Sequence, residues 1–188
     1  MRRAGRADAG CRYARVMGIP DFVVSLRERI GTTPLWLSGV TAVILDGPRV
    51  LLVRRGDTGA WAPVTGILDP GEEPAVAAWR EAQEETGVTV EVERLVGVGT
   101  TGEITYPNGD RASYLDLTFR CRYASGEARV NDDESLEVAW WPVDALPDMS
   151  ADFLARIRNA LDDEPETRFV RPGDDLPGHD HDARGSAA

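Results

Sequence analysis

Lysine is absent from the chain: all 21 basic residues are arginine, set against 32 acidic residues for a formal net charge of −11. A surface of that sign disfavours non-specific nucleic-acid binding, which depends on basic side chains neutralising phosphates. No nucleic-acid partner is expected, and any phosphate-bearing ligand needs local help from a cation or from chosen arginines. Cysteine is almost missing. Cys11 and Cys121 are the two present, too few for a disulfide framework, and a reducing compartment, the cytoplasm, fits that. Nothing approaches the roughly 18 uninterrupted apolar residues of a membrane helix, so no membrane partner is expected. The arginine-rich opening "MRRAGRADAGC" ends in Ala-Gly-Cys but lacks the apolar stretch of an export signal. Residues 1–16 read as a disordered leader or as a start placed too early, with Met17 the more natural beginning.

What is present suits one compact domain with some spare length, since 188 residues with 42% hydrophobic content can bury a single core. "PDFVVSLRERIG" spaces Phe22, Leu26 and Ile30 for a short amphipathic helix that ends at Gly31. That stripe either packs on its own domain or supports a homodimer. Residues 36–45 and 49–55 are aliphatic runs around Asp46-Gly47-Pro48 and predict a hairpin. A further strand is predicted near 89–98. A second hairpin turns at Asn108-Gly109 and runs into an alternation with Leu115, Leu117, Phe119 and Cys121 on one face and Tyr114, Asp116, Thr118 and Arg120 on the other. A strand through Trp140 and Trp141 precedes a closing helix with Ser150 as N-cap and a stripe of Phe153, Leu154, Ile157 and Leu161. From 163 to 188 the composition turns acidic and apolar-poor, which predicts a disordered tail and leaves 17–162 as the domain. Strands mixed with a few helices predict an α/β fold with a mixed sheet covered by helices.

The stretch "GEEPAVAAWREAQEETGV" is the most informative. Glu81, Glu84 and Glu85 stand at i, i+3 and i+4, so a helix from about Pro74 to Thr86 puts three carboxylates on one face. By itself such a trio is usually a solvated face. Each like-charge pair nevertheless costs roughly 0.2–0.5 kcal/mol, and a cation among them would offset it. Hard carboxylate oxygens without His or Cys nearby point to Mg2+ or Mn2+ over zinc.

Around that trio Gly66, Glu72, Arg80, Gly87 and Val88 stand at fixed spacings, and the whole of Gly66 to Val88 closely resembles the Nudix box. The resemblance implies a Nudix-type α/β/α sandwich and hydrolysis of the pyrophosphate bond in a nucleoside diphosphate linked to another moiety: a nucleoside triphosphate, ADP-ribose, a nucleotide sugar or a dinucleoside polyphosphate. It further implies metal-binding roles for the Gly66 carbonyl, Glu72, Glu81, Glu84 and Glu85, with Glu72 supporting the site from the first turn. Arg80 would orient them, by reaching Glu84 or by bracing the neighbouring loop. The general base would be Glu81 or an acid of "NDDESLE", residues 131–137, with Glu134 ahead of Asp133 and Glu137. Two positions depart from the family's pattern. Ala82 replaces a bulky aliphatic residue, and Thr65 stands beside Gly66 where a second glycine is common. Tyr106 lies roughly where dinucleoside-polyphosphate members carry a tyrosine, and Arg54, Arg55 and Arg111 are candidates for phosphate contact. The alternative is a non-catalytic Nudix-like sensor of nucleotides, although such domains commonly lose box glutamates.

Overall fold

The computed structural model describes residues 19–174. Residues 1–16, expected as a leader, and 175–188 of the expected tail lie outside the described residues. The chain runs α1 (Asp21–Ile30), β1 (Leu35–Asp46), β2 (Arg49–Arg55), β3 (Trp61–Ala62), β4 (Val64–Ile67), α2 (Pro74–Thr86), β5 (Thr89–Thr100), β6 (Ile104–Thr105), β7 (Arg111–Ser125), β8 (Ser135–Pro142) and α3 (Ala151–Leu161). Both predicted hairpin turns form, with Gly47 at φ 56° and Gly109 at φ 85°, backbone conformations that only glycine adopts without strain.

The sheet is mixed and centred on β1 and β7, which pair in parallel from Leu35↔Ala112 to Leu45↔Arg122. The other edge of β1 is divided. Antiparallel β4 takes Gly39 to Ala42, while β2 takes Ile44 to Asp46 before continuing to β8 and β3. This division brings the end of β2 beside the middle of β4, and Arg55 Nη1 donates to Thr65 Oγ1 at 3.3 Å.

Strand periodicity decides which helix each residue meets. Val40, Ala42 and Ile44 of β1 and Leu51 and Val53 of β2 form one core cluster with Ala77, Ala78 and Ala82 of α2. The alternate residues Val43, Leu45, Val50 and Leu52 pack with Ile157 and Ala160 of α3. Each large aliphatic so buried contributes roughly 1.5–3 kcal/mol, and one helix on each face gives the α/β/α sandwich. Ala82 is fully buried among small neighbours of α2, which let the helix lie close on the sheet. The β7 alternation also holds, with Leu117, Phe119 and Cys121 in the α2 cluster.

Two expectations change. In α1 the inward residues are Val23 and Arg27, while Leu26 and Ile30 of the expected stripe stay exposed. The helix turns this way because buried Arg27 donates to the Gly31, Thr33 and Arg111 carbonyls and lies 3.5 Å from Asp110. Order also runs past 162. Arg168 N donates to Val96 O at 3.0 Å and Val98 N to Arg168 O at 2.9 Å, so the segment adds to the edge of β5. The Thr167 hydroxyl adds a bond to Leu95 O at 3.0 Å, and composition hid the pairing because its ladder bonds use backbone groups, which every residue but proline supplies in full.

Candidate active site

Helix α2 opens with Pro74 in its first turn, where a missing N–H costs nothing, and closes at Gly87, whose φ of 71° suits a glycine cap. Between them the three carboxylates take different environments: Glu84 is exposed, Glu81 is half-buried and Glu85 is buried against the sheet.

Arg80 organises the first part of this cluster. Its Nε and Nη2 form a fork with both oxygens of Glu72, each at 2.9 Å. Its Nη1 donates to Glu81 at 2.8 Å and to Glu84 at 2.9 Å, and Nη2 also reaches the Ile67 carbonyl at 3.3 Å. Arg80 thus does both things the sequence allowed, holding Glu84 and bracing the loop. Charge-assisted and bidentate bonds are the strong kind, and they hold the Glu72 carboxyl below the usual carboxylate range. With the Asp69 N–H donating to it as well, Glu72 is a brace between loop and helix.

Gly66 explains its own identity. A Cβ there would lie 2.0 Å from both the Glu81 carboxyl carbon and Oε1, so the Glu81 side chain occupies the space a larger residue would need. The β4 backbone and a carboxylate are thereby placed in direct contact. Thr65 points its hydroxyl to Arg55.

Arg80 and Arg55 compensate the deeper carboxylates only in part. Burial pushes Glu81 up to about 7, against the pull of Arg80. Burial lifts Glu85 well above the carboxylate range, and Glu81, Asp132 and Glu134 add repulsion. Partial withdrawal from water, then Asp132, raises Glu134 to about 7 although its residue stays open to solvent. These acids, drawn from α2 and from the 131–137 loop, converge, and their shared charge is what a divalent cation would offset. The donors are hard oxygens, as Mg2+ or Mn2+ prefers. Among the described residues no three Asp, Glu, His or Cys side chains are posed to hold a metal ion in these conformers; Arg80 engages both Glu81 and Glu84. Binding would require those carboxylates to exchange guanidinium for cation.

The other candidates separate cleanly. Glu137 faces Arg54 at 3.9 Å on exposed surface, and Asp133 is exposed. Arg111 is half-exposed beside Glu103 at 3.5 Å. Arg55 sits within the acid cluster, forked onto Asp57 at 2.9 and 2.7 Å and close enough to Glu85 to temper its repulsion. Tyr106 shares a 2.7 Å hydrogen bond with Tyr114, and both rings pack under α1. Trp79 is 40% exposed. Sequence reasoning missed Asn131, whose amide donates to Gln83 O at 3.1 Å and Glu84 O at 3.2 Å. Its position at the head of an acidic loop was the available signal, since Asn is a habitual cap.

A family model described as the NUDIX domain matches residues 36–163. A MutT-like protein of Streptomyces ambofaciens is 37% identical over 142 residues, covering 74% of this chain and 86% of the relative. The NAD-capped RNA hydrolase NudC of Pseudomonas aeruginosa PAO1 is 32% identical over 141 residues, 74% of this chain but 46% of that protein. The chain therefore spans less than half of that relative. A solved ADP-ribose pyrophosphatase from Streptococcus suis aligns with a TM-score of 0.55 at 25% identity, covering 73% of this chain and 100% of that one. The chain belongs to the Nudix family. It is a pyrophosphohydrolase.

Proposed function

We propose that this enzyme cleaves the pyrophosphate bond of a nucleoside diphosphate linked to another moiety, with Gly66, Glu81, Glu84 and Glu85 holding Mg2+ or Mn2+ and Glu134 as general base. The observation that carries the reading is the Glu81 carboxylate packed directly on Gly66, with Glu85 and Glu134 converging on the same region. A bound cation would polarise phosphate oxygens and acidify a water near them. The chain supplies the rest. Arg80 and Glu72 hold the helix acids against the loop, Arg55 supplies positive charge in an acidic cleft, and Glu134 takes the proton from the attacking water. An acid near 7 is well matched to that transfer at neutral pH. The relatives act on different substrates, so the class stays broad: nucleoside triphosphates, ADP-ribose, nucleotide sugars and dinucleoside polyphosphates. The intact, only partly compensated acid cluster supports catalysis over nucleotide sensing, and the buried free thiol of Cys121 suits the cytoplasm.

The test is purified enzyme screened against those four substrate classes with Mg2+ and with EDTA, reading released phosphate after a phosphatase step. Turnover of at least one class that EDTA abolishes is expected. Undiminished turnover in EDTA would remove the metal from the proposal.

A further inference from the structure

A base carried on an exposed loop is useful only if the loop is held, because a misplacement of about 1 Å can cost about 100-fold in rate. We infer that Asn131 and Gly56 are positioning residues that fix Glu134 over the helix acids. This rests on the reading of Glu134 as general base.

The first anchor is the C-terminal end of α2. A helix leaves its last four carbonyls without intrahelical partners. Here Gly87 N serves Gln83 O at 3.0 Å, and a segment far along the chain serves the others. Asn131 Nδ2 donates to Gln83 O and Glu84 O, Asn131 N to Glu85 O at 3.2 Å, and Arg129 N to Thr86 O at 3.0 Å. The Asn131 oxygen meanwhile accepts from Arg129 Nη2 at 3.2 Å. Asn131 thus ties the loop to the residues whose carboxylates build the site. Asparagine offers two amide donors on a short stem, which aspartate lacks.

The second anchor is the end of β2. Gly56 N donates to the Glu134 carbonyl at 2.7 Å, and a Cβ at 56 would lie 2.7 Å from that same oxygen. Between the anchors Asp132 Oδ1 accepts from Glu134 N and Ser135 N, both at 3.1 Å. Both backbone polar groups of Glu134 are therefore engaged, its N–H by Asp132 and its carbonyl by Gly56.

The experiment is a double-mutant cycle on the full chain with Mg2+. Asn131→Ala and Gly56→Ala should each lower kcat by about 10- to 100-fold with KM changed by less than threefold. Mn2+ affinity by calorimetry should stay within twofold, while amide exchange at 132–136 accelerates. In the Glu134→Gln background neither change should lower kcat by more than a further twofold. Asn131 is exposed, so its variant keeps the test readable if Gly56→Ala does not fold. Wild-type kcat in Asn131→Ala, or losses that multiply undiminished with Glu134→Gln, would overturn the inference while leaving Glu134 as base. A Glu134→Gln enzyme within twofold of wild type would instead overturn the base assignment, and the positioning role with it.

Discussion

Two buried carboxylates lie in different settings, and they differ in what faces them. Asp116 accepts from Thr41 and Thr118, each at 2.8 Å, and from Arg156 at 2.7 Å. Glu85 faces Glu81, Asp132 and Glu134, and its tempering cation, Arg55, already spends its donors on Asp57 and Thr65. Burial lifts both carboxyls. Hydrogen bonds and Arg156 pull Asp116 back, whereas the other acids drive Glu85 further. A carboxylate kept for the fold is given donors, and one kept for chemistry is left to repel its neighbours until a ligand arrives.

The sharpest way to break this contrast is Glu85→Gln. Turnover should fall by about 100-fold or more, while thermal stability in EDTA holds or rises, because a repelling buried charge is gone. A destabilised, active variant would place Glu85 with Asp116 as a structural acid. Gly66→Ala comes next: the new Cβ must expel the Glu81 carboxyl, so kcat should drop by about 10- to 100-fold, read by steady-state kinetics beside circular dichroism to show an intact fold. Asp116→Asn reverses the pattern. Arg156 keeps Asp152 at 2.6 Å but loses its buried partner, which should cost about 3 kcal/mol in denaturant unfolding, with kcat changed only a few-fold.

The smallest effect is on pH dependence. Glu81 and Glu134 titrate near 7 when folded and near 4.5 when unfolded, so between those values the folded state holds more protons. The stability that these two groups lend the metal-free protein should therefore fall as pH rises from about 4.5 to 7, and Glu85, lifted further, should carry the decline on. Thermal melts across that range measure it. Glu81→Gln should flatten the slope, and a profile rising with pH would contradict the mutual repulsion of these acids.

Periodicity made much of this legible. Two hairpins, the box helix and the closing helix follow from alternation, turn glycines and caps, and the single bond from Arg80 to Glu84 follows from i+4 spacing. What stayed hidden depends on groups that no side-chain pattern reports. Arg27 turns inward because carbonyls happen to converge on it, so α1 presents Val23 where spacing offered Leu26. Glu72 is captured by Arg80 from across the loop. Gly56 meets Glu134 through backbone atoms alone, and the 167–168 segment joins β5 through backbone groups and the Thr167 hydroxyl. Asn131 lies far from α2 in sequence, and only the fold reveals which carbonyls it reaches.

The parallel pairing of β1 with β7 carries a consequence for the ribosome. Everything from Gly47 to Asp110, including the whole box helix, is synthesised before Arg111 begins the strand that completes the middle of the sheet. A nascent chain stalled in that interval exposes one long edge of β1, with Val40, Ala42 and Ile44 along it, and an unpaired apolar edge is a template for joining another chain. A pause in synthesis before β7 would therefore leave the central strand of the sheet without its parallel partner.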